Sequence, residues 1–189
     1  MPTDASANEL TLRRPSTILA QAFWVAGFSI ATALAARLEI PHSPVPYTLQ
    51  TLVVLLAGAF LGPRNGAVSQ LLYLLAGSMG LPVFAGGAAG VMQLLGPTGG
   101  YLLAFPAAAA MVGYLVSVRR SVVWTFFSMA AGLAIIFVSG TLQLYAVLLH
   151  SVGQAVSAGL LIFSWWDGIK LTAATMIYFE VAKRWPRIP

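Results

Sequence analysis

Between residues 18 and 183 one apolar run follows another, near 18–38, 47–62, 66–82, 101–118, 121–148 and 164–183, with little polar sequence between them. A helix of about 20 residues crosses the ~30 Å hydrocarbon layer of a bilayer, where no water satisfies backbone N–H and C=O groups. Such runs must therefore bond internally as helices. The expected fold is an all-α integral membrane protein with six transmembrane helices. The runs at 47–62 and 66–82 are short and suit little tilt or locally thinned lipid. Composition agrees: hydrophobic residues make up 59% and charged residues 8% of the 189 positions, against about 45–50% and about 25% in a soluble domain.

Six crossings leave both ends of the chain on one side, so the basic residues can be sorted by segment. Arg13 and Arg14 precede the first span, Arg64 sits in the turn GPRNG, Arg119 and Arg120 join spans four and five, and Lys183, Arg184 and Arg187 follow the last. All eight fall on the same side, which the positive-inside rule makes the cytoplasm. The expected organisation is a cytoplasmic tail at 1–17, a six-helix transmembrane domain at 18–183 and a cytoplasmic tail at 184–189. The run after Arg13 and Arg14 raises the question of a signal peptide. It exceeds the ~7–15-residue core of such a segment and equally apolar sequence follows, so it reads as a retained first span.

The net charge of +5, from 10 Lys+Arg and 5 Asp+Glu, thus reports orientation in the bilayer, and no basic run interleaved with aromatics points to nucleic acid. Cysteine is absent, and His42 and His150 are far apart, so neither a metal nor a bound cofactor is expected. A phosphate loop of the form GxxxxGK(S/T), an HExxH helix and a GxSxG nucleophile turn are all missing, which argues against an intrinsic ATPase and against hydrolase chemistry. Ala22 with Ala26, and Ala31 with Ala35, set small residues four apart on the first span. Faces of this kind let another helix approach closely, whether from this chain or from a partner.

The unusual residues gather in the outer segments. EIPHSPVPY at 39–47 is a loop stiffened by three prolines, with Arg37 just before it at a helix end, where snorkelling to the interface is expected. VFAGGAAGVMQLLGPTGG at 83–100 carries six glycines and includes Phe84, Gly86, Gly87, Thr98 and Gly99. Its backbone can approach a ligand closely, although a merely flexible loop has the same composition. LGPRNG and LGPTGG share a pattern, but Pro followed by Gly is ordinary turn chemistry ahead of a helix. Within SWWDGIKL, Asp167 and Lys170 are three apart and share a helix face at the start of the last span. Asp167 either caps the helix and pairs with Lys170, or the two charges line a pocket; a charge at this depth costs ~2.5–3.5 kcal/mol and tends to face a cavity or partner. Trp165 and Trp166 suit an interfacial belt or an apolar wall. Gln50, Thr98 and Tyr101 are further polar candidates for a pocket, and Gln50 and Gln70 are amides in apolar runs that favour an inward orientation.

Residues 44–106, PVPYTLQTLVVLLAGAFLGPRNGAVSQLLYLLAGSMGLPVFAGGAAGVMQLLGPTGGYLLAFP, resemble the BioY family, the biotin-specific substrate-binding (S) components of energy-coupling factor (ECF) transporters. WWDGIKLTAA is similar to that family's Asp-x-x-Lys segment, and the likeness spans roughly 18–183. The resemblance implies the ECF S-component fold in a bacterial or archaeal cell membrane, with both termini cytoplasmic and biotin captured from outside. It also implies a partner T component and two ATP-binding cassette subunits, with the alanine face of the first helix as the docking surface. Asp167 and Lys170 become polar contacts to biotin, and Gly86, Gly87, Thr98, Gly99 and Tyr101 belong to the segment covering it; Phe84, Gln50 and Trp166 complete the expected site. Chemical complementarity assigns Asp167 to the ureido N–H groups and Lys170 to the carboxylate. SWW stands where a proline-bearing approach is expected, and 119–160 match only as generic apolar sequence. An S component for another vitamin, a small membrane enzyme using Asp167 as general base, and an autonomous secondary carrier are the competing readings.

Overall fold

The computed structural model describes residues 15–160 and 165–184, so Arg13, Arg14, Arg187 and the side chains of Trp165 and Arg184 lie outside the described residues. Helix α1 (Pro15–Arg37) leads into a two-stranded antiparallel ribbon, β1 (Glu39–Ile40) and β2 (Tyr47–Thr48), with Glu39 opposite Thr48 and Ile40 opposite Tyr47. Then come α2 (Gln50–Ser78), a 3-10 turn at Ala85–Gly87, and the short helices α3 (Val91–Leu95) and α4 (Gly99–Leu103). Helices α5 (Phe105–Val118) and α6 (Val122–Leu144) follow, and α6 continues into a π turn at Tyr145–Leu149. After α7 (Val152–Ala155) and a second π turn at Val156–Leu160, α8 (Trp165–Arg184) closes the described chain.

Helix α2 is a hairpin. Gln50 and Tyr73, 23 residues apart, are joined by a 2.6 Å hydrogen bond, whereas a straight helix would separate them by about 35 Å. The reversal lies at Gly62, with φ 76° and ψ −178°, followed by Pro63, which has no N–H to leave unpaired. Residues 50–61 and 63–78 therefore form the two arms expected as the second and third spans. A Cβ on Gly113 of α5 would stand 2.4 Å from the Gly62 carbonyl carbon, and one on Gly58 would stand 2.3 Å from the Ala109 carbonyl oxygen. Glycine at both positions lets α5 press onto the hairpin. At the α5–α6 turn, Ser121 caps α6 by accepting from the Trp124 N–H, and the Trp124 indole donates to the Leu115 carbonyl.

Among the described residues, four helical segments are long and apolar enough to cross a membrane: Ile18–Arg37, Gln50–Ser78, Gly99–Val118 and Val122–Leu149. The exposed surface is correspondingly apolar, with Leu19, Phe23, Leu34, Leu75, Phe127 and Met176 all well exposed, while Ser29, Thr32, Gln50, Gln70, Asp167 and Lys170 are buried. That inversion is what a lipid solvent selects, since an apolar exterior costs nothing in hydrocarbon and polar groups must find partners inside. Leu55, Tyr73, Val112, Met129, Leu133 and Ile136 fill the core between the α2 arms, α5 and α6.

On α1 the side facing α2 carries Ser29, Thr32, Ala35 and Ala36. Ala35 thus serves packing within the chain, while Ala31 and Ala26 are half-buried and Ala22 is exposed. Arg37, expected to snorkel, instead donates to the Pro82 carbonyl and lies 3.0 Å from where a Gly87 Cβ would be, fastening α1 to the glycine-rich segment.

Candidate functional site

The first turn of α8 leaves backbone N–H groups without helical partners, a setting that favours a carboxylate, and Asp167 occupies it. One turn on, Lys170 places its Nζ 2.6 Å from Asp167 Oδ1. Both are almost fully buried, at 1% and 5% exposure. The ammonium also donates to the Thr48 carbonyl at 3.1 Å and to Thr51 Oγ1 at 2.9 Å. Lys170 thereby commits its three donors to the protein, and a ligand carboxylate reaching it must displace one of them. The pair is internal and faces a cavity at the same time, so the two readings of Asp167 and Lys170 are not exclusive.

A cavity of about 320 Å³ lies above the pair, within the range of small-molecule sites, about 300–1,000 Å³. Asp167, Lys170, Gln50 and Thr51 supply one polar side, while Leu102, Phe105, Ile136 and Phe137 supply an apolar wall. Gln50 donates to the Tyr73 hydroxyl at 2.6 Å and accepts from Thr48 Oγ1 at 3.0 Å, and the Tyr73 hydroxyl donates on to the Val83 carbonyl at 3.3 Å. This chain of bonds ties the floor of the cavity to the glycine-rich segment. Over the top come Ala85, Gly86, Gln93 and Thr98, with Gln93 Nε2 donating to Thr98 Oγ1 at 3.2 Å. Gly86 has φ 65°, a left-handed turn that glycine adopts without strain. Tyr101 lines the cavity and donates from its hydroxyl to the Gly159 carbonyl at 3.1 Å.

Six of the expected site residues meet at this cavity: Gln50, Gly86, Thr98, Tyr101, Asp167 and Lys170. Four do not line it. Phe84 is fully buried beneath the segment, edge-on to Tyr73 at 5.6 Å and against Gly77, where it acts as the segment's apolar anchor. Gly87 meets Arg37, Gly99 packs against Leu94 and Gln143, and Trp166 is half-buried beside the pair. Gln70 bonds α1 through Thr32 at 3.3 Å, a helix-to-helix bond away from the cavity. The residues missed are Glu39, His42 and Tyr47 of the ribbon, Thr48 and Thr51 flanking Gln50, and Gln93. Thr51 had a signal, a hydroxyl beside an inward-facing amide in an apolar run. Glu39 and Gln93 had none, because their position depends on how distant segments fold over the helix ends.

Residues 6–187 match the sequence profile described as the BioY family. The biotin transporter BioY of Thermotoga maritima is 39% identical over 156 residues, covering 82% of this chain and 92% of its own. The biotin transporter BioY of Rhizobium etli is 30% identical over 173 residues, covering 87% of this chain and 92% of its own. The crystal structure of the S-component for biotin from an ECF-type ABC transporter superposes with a TM-score of 0.83 at 24% identity, over 89% of this chain and 94% of that one. At that identity the structural likeness is one of fold.

Proposed function

This chain belongs to the BioY family, and on that premise we propose that it is a multi-pass membrane protein that binds biotin for uptake as the S component of an ECF-type transporter. The observation that carries this reading is a buried Asp167–Lys170 pair set against an open-mouthed cavity with an aromatic and aliphatic wall. Biotin offers a ureido group at one end of an apolar body. Its two N–H groups suit the Asp167 carboxylate, and its apolar ring and chain suit Leu102, Phe105 and Phe137. Nothing in this recognition requires a chemical step, so the protein acts as a binding and transport subunit and not as an enzyme.

In this reading the chain crosses the membrane six times, counting the arms 50–61 and 63–78 separately and including α8, with both termini cytoplasmic. Support comes from charge placement. Arg64, Arg119 and Arg120 lie at the end where Gly113 meets the hairpin turn, away from the cavity, and Lys183 is at the far end of the helix that Asp167 begins. The cavity then opens outward. Energy comes from partners, a T component and two ATP-binding cassette subunits. Ala22, exposed on α1, is a cleaner docking test than Ala35: Ala22→Leu should impair uptake by the assembled complex and spare biotin binding.

The test is a binding titration with radiolabelled biotin on purified protein. Asp167→Asn, which keeps shape and removes charge, should weaken biotin about a hundredfold, the loss expected of a charge-assisted hydrogen bond or two. Wild-type protein that ignores biotin, or an Asn variant with unchanged affinity, contradicts the proposal.

A further inference from the structure

The segment 91–98 brings two polar side chains, Gln93 and Thr98, over the cavity. On that side α3 is a single short helix, Val91–Leu95, whose end is continued by backbone bonds from the Gly99 N–H to the Gly96 carbonyl at 3.0 Å and from the Tyr101 N–H to the Thr98 carbonyl at 3.2 Å. Two carbonyls at this end, those of Leu94 and Gly96, are also met from across the molecule. Gln143, near the end of α6, donates from Nε2 to the Leu94 carbonyl at 2.8 Å and to the Gly96 carbonyl at 2.7 Å. A primary amide has two N–H donors, and both are used on one loop. The loop lies flush on α6: a Cβ on Gly99 would stand 2.6 Å from Gln143 Nε2, and one on Gly100 would stand 2.7 Å from Gln143 Cβ.

We infer that Gln143 is a positioning residue for the ligand cavity, a clamp that fixes the C-terminal end of α3 and so holds Gln93 and Thr98 in place over the site. Gln143 does not line the cavity; it acts through two backbone carbonyls and the Gln93–Thr98 bond. The geometry also explains the direction of the clamp. The opposite end of the segment is anchored separately, by the Gly90 N–H on the Gly77 carbonyl and by the buried Phe84 ring. Releasing Gln143 therefore frees one edge of the cover and leaves the other seated.

The inference rests on the proposed biotin site only for its choice of ligand, and the experiment separates the two. The chain has no cysteine, so Met92→Cys, at a side chain 76% exposed, carries a single nitroxide on the segment. Gln143→Met removes both donors at similar length, and Gln143→Lys retains donors. In the ligand-free protein the Met variant should give a more mobile spin-label spectrum, with the melting temperature unmoved. Biotin dissociation should be about tenfold faster, the factor expected of two ordinary hydrogen bonds. The Lys variant should recover most of both signals. A label spectrum and dissociation rate equal to the parent's overturn the inference, as does a Lys variant as impaired as the Met variant, which would mean packing and not donation is at stake. If the parent binds no biotin, the proposed function fails, and the spin label still decides whether Gln143 clamps the segment.

Discussion

Among the described residues, two largely buried clusters of polar side chains differ in what lies beside them. Thr32, Ser69 and Gln70 bond to one another where α1 meets α2, at 3.3 Å and 3.1 Å, with each residue essentially unexposed. Thr48, Gln50, Thr51, Asp167 and Lys170 bond to one another just as fully, yet they border a cavity. Interhelical bonds of the first kind are worth about 0.6–2 kcal/mol in membranes and serve assembly. The second cluster contains a charge pair whose burial is poorly repaid by packing alone. Burial of polar groups thus does not by itself distinguish the two clusters; a void on one side of the second does.

The comparison is broken most severely by Lys170→Ala. It leaves Asp167 buried without its cation, which should cost about 3–5 kcal/mol of stability and, measured by thermal melting and biotin titration together, abolish tight binding. A smaller effect is expected from Gln50→Leu. That change removes the link between Thr48 and Tyr73 and should weaken biotin about tenfold. Gly113→Val probes the end away from the cavity: forcing α5 off the hairpin turn should lower stability by about 1–3 kcal/mol, seen as a lower melting temperature, with biotin affinity nearly unchanged. The smallest effect is predicted for Thr32→Val with Gln70→Leu, under about 2 kcal/mol in stability and no change in the biotin isotherm. A loss of affinity in that double variant would erase the distinction between the clusters.

Helical membrane architecture was legible because apolar runs report span length directly, and LGPRNG marked the hairpin turn through Gly62 and Pro63. Asp167 and Lys170 were legible because a carboxylate and an ammonium stand out against oil at helical spacing. Less was readable at 39–48, expected as a proline-stiffened loop and found as a ribbon; strands of two residues are too short to show a period. The glycine-rich segment was recognised as a cover, but only Gly86 and Thr98 of its expected glycines and polar residues border the cavity, while Phe84 and Gly87 seat it. Roles of that kind depend on residues such as Arg37 and Gln143, which come from other helices and leave no local mark.

The decisive measurement is a biotin titration of the double variant Asp167→Leu, Lys170→Met beside the wild type, with a melting curve for each. Apolar groups of similar size often replace a buried ion pair at no cost in stability, or with a gain. A pair retained for its ligand predicts a double variant that melts no lower than the wild type and binds biotin at least a hundredfold more weakly, the scale of charge-assisted hydrogen bonds. Wild-type affinity in the stable double variant would show that the pair only braces α8 against α2.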